Sequence, residues 1–154
     1  MKKLILGMLM LALLAAPVMS ADSATAALAL SGTVAKKFTV TPSVTSYEFV
    51  NVGATDTLLA NLQIVSNYKA GFSIAFTSNT GAFDIRDAAN SITPWGYSLK
   101  LGATSVIYGT AITFTGIRHP GAGSSYPLYI TYGNDSTLDY GSYTGNLSIT
   151  ITAL

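Results

Sequence analysis

Residues 143–153 read Tyr-Thr-Gly-Asn-Leu-Ser-Ile-Thr-Ile-Thr-Ala and alternate at every step. The odd positions are Tyr143, Gly145, Leu147, Ile149, Ile151 and Ala153; the even ones are Thr144, Asn146, Ser148, Thr150 and Thr152. A period of two sends successive side chains to opposite faces of an extended chain. This stretch therefore predicts a strand with one apolar, β-branched face and one face of hydroxyls and amides.

The same rhythm runs back through the chain. Phe72, Ile74 and Phe76 alternate with Ser73, Ala75 and Thr77, and the run closes at Ser78-Asn79-Thr80-Gly81. Tyr97, Leu99 and Leu101 share a parity, as do Tyr126, Leu128, Ile130 and Tyr132. Further strands are expected around Tyr47 and Phe49, from Leu58 to Ile64, at Phe83 and Ile85, and where Val106 and Tyr108 lead into Ile112 and Phe114. Residues His119 to Ser125 read as a loop by composition, and Asp87 to Pro94 as a polar loop. No window after residue 20 spaces apolar residues every three to four positions, as a helix requires. Short strands separated by turn clusters predict an all-β chain, an antiparallel β-sandwich in preference to a barrel.

The amino-terminal end predicts export. Met1-Lys2-Lys3 precedes a Leu/Ala/Met run from Leu4 to Val18, with Pro17, then Ser20 and Ala21. Charge, apolar core and small residues in that order mark residues 1–20 as a secretory signal peptide, cut after Ser20 or, alternatively, after Ala26. The apolar run of about fifteen residues is short of the roughly twenty that span a bilayer. No later stretch is long enough, so no membrane span is expected once the signal is removed. The style of the signal points to a secreted protein of the bacterial cell surface.

Composition narrows the function classes. The chain has no cysteine, which excludes disulfides and a cysteine-linked lipid anchor. Loss of Lys2 and Lys3 leaves Lys36, Lys37, Lys69, Lys100, Arg86 and Arg118 against seven carboxylates, with no basic stripe for nucleic acid. His119, the single histidine, has Arg118, Pro120 and Gly121 beside it, none of them a nucleophile or carboxylate partner. A histidine metal site has no second histidine or cysteine to draw on. Gly121-Ala122-Gly123-Ser124-Ser125 lacks the lysine of a phosphate loop. Asn134-Asp135-Ser136 with Asp139 lacks the closing glutamate of a calcium loop. Asp84 and Asp87, flanking Arg86, read as charges at a strand end. No catalytic, metal or cofactor site is expected, and the chain reads as no enzyme.

Two readings of function remain. In the first, Leu28, Leu30, Gly32 and Val34 share one parity in the segment 21–34, ahead of a domain spanning 35–154. That segment is either the first strand of its own sandwich or a strand offered to another copy, since alternation serves equally in cis and in trans. In the second, aromatic side chains stack on sugar rings. Tyr97, Tyr126 and Tyr132 lie on apolar parities and are expected to pack inward, leaving Trp95 and Tyr129 as candidate ligand contacts.

The ending Tyr140-Gly141-Ser142-Tyr143-Thr144-Gly145-Asn146-Leu147-Ser148-Ile149-Thr150-Ile151-Thr152 resembles the close of exported bacterial fimbrial subunits, chaperone–usher pilins and spore-coat-U-like proteins. Gln63-Ile64-Val65-Ser66-Asn67 followed by Gly71-Phe72-Ser73-Ile74 is similar to a strand, Asn turn and strand of the same subunits. The chain departs from the spore-coat-U-like pattern in lacking cysteines. The resemblance implies an immunoglobulin-like sandwich short of one strand, completed by the amino-terminal extension of a neighbour. It also implies a structural or adhesive subunit of a pilus or coat. Its partners would be further copies, other surface subunits and a periplasmic chaperone.

Overall fold

The computed structural model describes residue 29 and residues 31–87 and 94–154. The signal peptide, Leu28 and Leu30 lie outside the described residues, as does most of the expected Asp87–Pro94 loop. Residues from Val34 to Leu154 form one compact unit, and those up to Thr33 fall in another. Within the first, every strand pairing is antiparallel, and no described residue is helical.

The strands are β1 (Phe38–Pro42), β2 (Ala54–Ser66), β3 (Gly71–Thr77), β4 (Asp84–Asp87), β5 (Trp95–Gly96), β6 (Ser98–Leu101), β7 (Thr104–Val106), β8 (Ile112–Thr115), β9 (His119–Tyr132), β10 (Tyr143–Thr144) and β11 (Ser148–Ala153). Among the described residues they form a five-stranded sheet in the order β1-β2-β9-β6-β7 and two three-stranded sheets, β11-β3-β8 and β10-β4-β5. Stacking of Phe72 of β3 on Phe114 of β8, with Tyr126 of β9 edge-on to both, packs the second sheet on the first. The molecule is thus the predicted all-β sandwich.

The alternation places the core. Leu62 and Ile64 of β2, Phe72, Ile74 and Phe76 of β3, and Leu128 and Ile130 of β9 are all buried at about zero exposure, and each is the inward member of its parity. Burying such side chains contributes about 1.5–3 kcal/mol apiece. Tyr132 is buried, and Tyr97 and Tyr126 are half-buried against the core, as their parities predict.

Three local expectations fail for identifiable reasons. Tyr47 and Phe49 form no strand, although both rings pack on the core. Leu58 is exposed rather than inward, because a register shift between Leu58 and Ala60 breaks the parity of β2. Residues 119–125 are strand, not loop. Ser66 pairs with His119 and Ile64 with Ser124, so the extra residues of β9 bulge between two pairings. Gly121 (φ 72°) and Gly123 (φ 82°) supply the left-handed turns of that bulge, and a β-carbon on Gly123 would overlap the carbonyl of Ile64. A glycine-rich composition thus marks a place where two backbones meet.

Gly71 opens β3 at φ 105°, and a β-carbon there would overlap the carbonyl oxygen of Phe114 across the β3–β8 pairing. Gly109, at φ 68°, has open space around it. Gly71→Ala is therefore expected to cost roughly 3–5 kcal/mol, strain plus clash. Gly109→Ala should cost only about 1–2 kcal/mol of backbone strain. Urea unfolding of the two variants checks the difference; equal losses would mean that the β3–β8 edge is not packed as described.

Candidate functional site

The final alternating stretch divides into two strands. Tyr143 and Thr144 pair with β4, whereas Ser148–Ala153 pair with β3. Gly145 lies at the change of partner, where a β-carbon would come within 2.9 Å of Ile85 Cγ2 and 3.0 Å of the Asp84 carbonyl. Only glycine lets the chain pass so close to β4.

β11 is an edge strand. One side pairs with β3, and among the described residues no strand pairs with the other. Its Ile149 and Ile151, and Leu147 just before it, pack against the core but stay half-buried, while Phe72, Ile74 and Phe76 of β3 are fully buried. Beside β11 runs a groove of about 410 Å³. Pro42 to Phe49 form one wall and Gly145 to Ile149 the other, over a floor of Leu59, Ala60, Ile85, Leu128 and Ile130. Phe38, Val40 and Pro42 of β1 are likewise only half-buried.

At the end of the sandwich, a second and larger cleft of about 860 Å³ opens between residues 46–51 and residues 138–145. An aromatic cluster supports it. Phe49 packs on Trp95, Tyr97 and Tyr132, and Tyr47 meets Phe49 and Tyr132 edge-on. Trp95 also meets Tyr143 at 6.3 Å between centroids. Hydrogen bonds hold the segments that form it. Asn51 Nδ2 donates to the Asp135 carbonyl, the Asp135 amide donates to Asn51 Oδ1 at 3.1 Å, and the Tyr143 hydroxyl donates to the Asp139 carbonyl.

The sequence-predicted site residues fall in different places. Gly32 and Val34 are exposed and belong to no strand, while Leu28 and Leu30 lie outside the described residues. Trp95 is 6 % exposed, and its indole N–H donates to the Gly133 carbonyl at 3.1 Å. It is a core residue rather than an exposed stacking surface. Tyr129, half-buried, pairs with Leu58 and Lys100 on the strands either side of it, at outward-facing positions of the five-stranded sheet. Trp95 and Tyr129 are not brought together. Sequence reading missed Tyr140, which is wholly exposed at the cleft, and the cleft itself, because two loops distant in sequence build it.

His119 is held by hydroxyls. Ser124 Oγ lies 2.9 Å from Nδ1 and Tyr126 Oη 2.6 Å from Nε2, so a neutral ring donates to one hydroxyl and accepts from the other. The ring also packs on Phe72 and Tyr126, and the group fastens the β9 bulge to the core. Asp84 and Asp87 are the two ends of β4, as expected, and both are buried. Arg86 pairs with Asp84 Oδ2 at 3.0 Å, while Asp84 Oδ1 is buried without a hydrogen-bond partner. Among the described residues, no group of three or more His, Cys, Asp or Glu could hold a metal ion, and no helix is long and apolar enough to cross a membrane. Compared with protein-family models and with curated proteins, the chain matches none.

Four phenols are held above the ordinary tyrosine value of 10.0, mainly by burial: Tyr47, Tyr97, Tyr126 and Tyr143. Asp84 adds to the effect at Tyr97, and Asp139 and Asp87 add to it at Tyr143. The unfolded chain then loses these protons at lower pH than the folded protein does. Stability is present in full below pH 10 and falls as pH rises through the folded values. Urea midpoints should decline above pH 10, and less steeply in Tyr97→Phe; a flat profile would contradict the burial of these rings.

Proposed function

We propose that this protein is a secreted structural subunit of the bacterial surface, assembling non-covalently by β-strand addition. The observation that carries the reading is the half-covered apolar face of β11 beside an apolar groove, on a strand whose outer edge is unpaired among the described residues. An open edge with an apolar row beneath it is a template for another strand.

The strand order supports the immunoglobulin-like arrangement. In such a sandwich one sheet holds the first, second, fourth and fifth strands, and the last strand pairs beside the sixth in the other. Here β1, β2, β9 and β6 lie side by side, and β11-β3-β8 carries β11 where the sixth strand would lie. The place beyond β11 is where a seventh strand would add. The segment containing Leu28, Leu30, Gly32 and Val34 suits that role in trans. Its alternate apolar side chains would cover Leu147, Ile149 and Ile151, and its backbone would pair with β11. On this reading the subunit is not an enzyme, and its partners are further copies, other surface subunits and a periplasmic chaperone that shields the groove before assembly.

Mature protein beginning at Ala21 should form concentration-dependent oligomers by light scattering, and protein beginning at Ala35 should not. Adding a synthetic peptide of residues 24–36 to the shorter form should raise its urea midpoint. A stable monomer of the longer form at every concentration, together with no response to the peptide, would sink the assembly reading.

A further inference from the structure

We infer that successive copies of this chain meet end to end, the basic end of one domain seated on the acidic end of the next. The inference rests on the assembly reading above. It adds what strand addition alone leaves open, namely which surfaces of the two domains touch.

Charge is sorted along the length of the sandwich. β2 is 13 residues long, so its two ends lie about 35–40 Å apart. At one end Ser66 pairs with Phe38 and His119, the Gly116 amide donates to the Ala70 carbonyl, and the Leu154 amide to that of Gly71. Lys36, Lys37, Lys69 and Arg118 are all exposed around this end, with Lys36 Nζ 5.5 Å from the centre of the Tyr68 ring. At the other end Ala54 pairs with Tyr132, the Val50 amide donates to the Tyr132 hydroxyl, and Asn51 and Asp135 are bonded to each other. Glu48 and Asp135 lie here. Arg86 and Lys100 are paired with Asp84 and Asp56. The basic end therefore holds the cations without a carboxylate among the described residues, and no Lys or Arg remains for the acidic end. A carboxylate ending the chain at Leu154 would offset only one of the four.

Both ends also expose apolar side chains. Ile117 and Leu154 stand at the basic end, and Val50, Val52 and Tyr140 at the acidic one. Apolar groups flanked by charge of one sign supply the centre and rim of a protein contact. Like ends repel and unlike ends attract, so the contact is heterologous and repeats in one direction.

The path of the chain agrees with this polarity. Ala35, where the amino-terminal segment joins the domain, is held at the basic end. Asn67 Nδ2 donates to its carbonyl at 2.7 Å, and Asn67 Oδ1 accepts from the Lys37 amide at 2.9 Å. The groove beside β11 reaches the acidic end, because Ser46, Tyr47, Phe49 and Gly145 line both it and the cleft there. A basic end docked on an acidic end thus brings the root of one copy's extension to the mouth of its neighbour's groove.

Charge reversal in protein beginning at Ala21 tests the contact. Lys69→Glu or Glu48→Lys alone should raise the concentration of half-assembly in light scattering about tenfold, and both changes in one chain should restore most of the loss. Added salt should weaken assembly of the parent chain. Because the chain has no cysteine, a short bis-maleimide should join Val52→Cys protein to Ile117→Cys protein in a mixture, and neither variant to itself. The rise in urea midpoint that the peptide of residues 24–36 gives the form beginning at Ala35 reads strand addition separately. It should persist with Lys69→Glu and with Glu48→Lys, which also certifies that both variants fold. Assembly indifferent to both reversals, cross-links between like cysteines, or a peptide response without assembly would each overturn the inference and leave strand addition standing. No peptide response in the parent domain would sink the assembly reading, and this inference with it.

Discussion

The last strand has an apolar face that the rest of the sandwich only half covers. Leu147 and Ile149 line a groove with Ile85, Leu128 and Ile130, and the wall opposite them, residues 42–49, is irregular. Apolar area left in contact with water is stabilisation not realised, roughly 25 cal/mol for each Å². An unpaired strand edge adds backbone groups that can bond only to water. Both deficits lie on one strand, and a single added strand beside it would pair the edge while its own side chains cover the apolar row. The buried centre formed by β2, β3 and β9 has β11 packed against it through Ile149 and Ile151.

That centre was legible in the sequence because strict alternation leaves little choice of face. A one-residue slip in β3 would turn Phe72, Ile74 and Phe76 into water, so their parity fixes the register. Reading failed where parity itself is interrupted. The shift at Leu58 reverses a face within β2, and the bulge at residues 119–124 hides a paired strand under a glycine-rich composition. Tyr47 and Phe49 alternate like a strand but reach the core from an unpaired segment. Pattern reports which side chains go inward, and only tertiary pairing decides whether the backbone between them is laddered.

Site reading was limited by the same distinction. The segment around Leu28 to Val34 and the apolar row of β11 are both visible as alternation, but nothing in the spacing says that β11 has an open edge. Trp95, singled out as an exposed aromatic after Pro94, is a core ring whose indole N–H is satisfied by Gly133. Tyr140, unremarkable in sequence, stands exposed at a cleft whose two walls are some ninety residues apart along the chain. Residues that cooperate through distant loops leave no local signature.

The central claim is that β11 is completed from outside the domain, and amide hydrogen exchange along residues 147–153 tests it most directly. In protein beginning at Ala35, the outward-facing amides of β11 should exchange quickly while those bonded to β3 are slow. Adding a peptide of residues 24–36 should slow the outward set alone. Uniform protection of both sets before any peptide is added, or no change on its addition, would contradict the account.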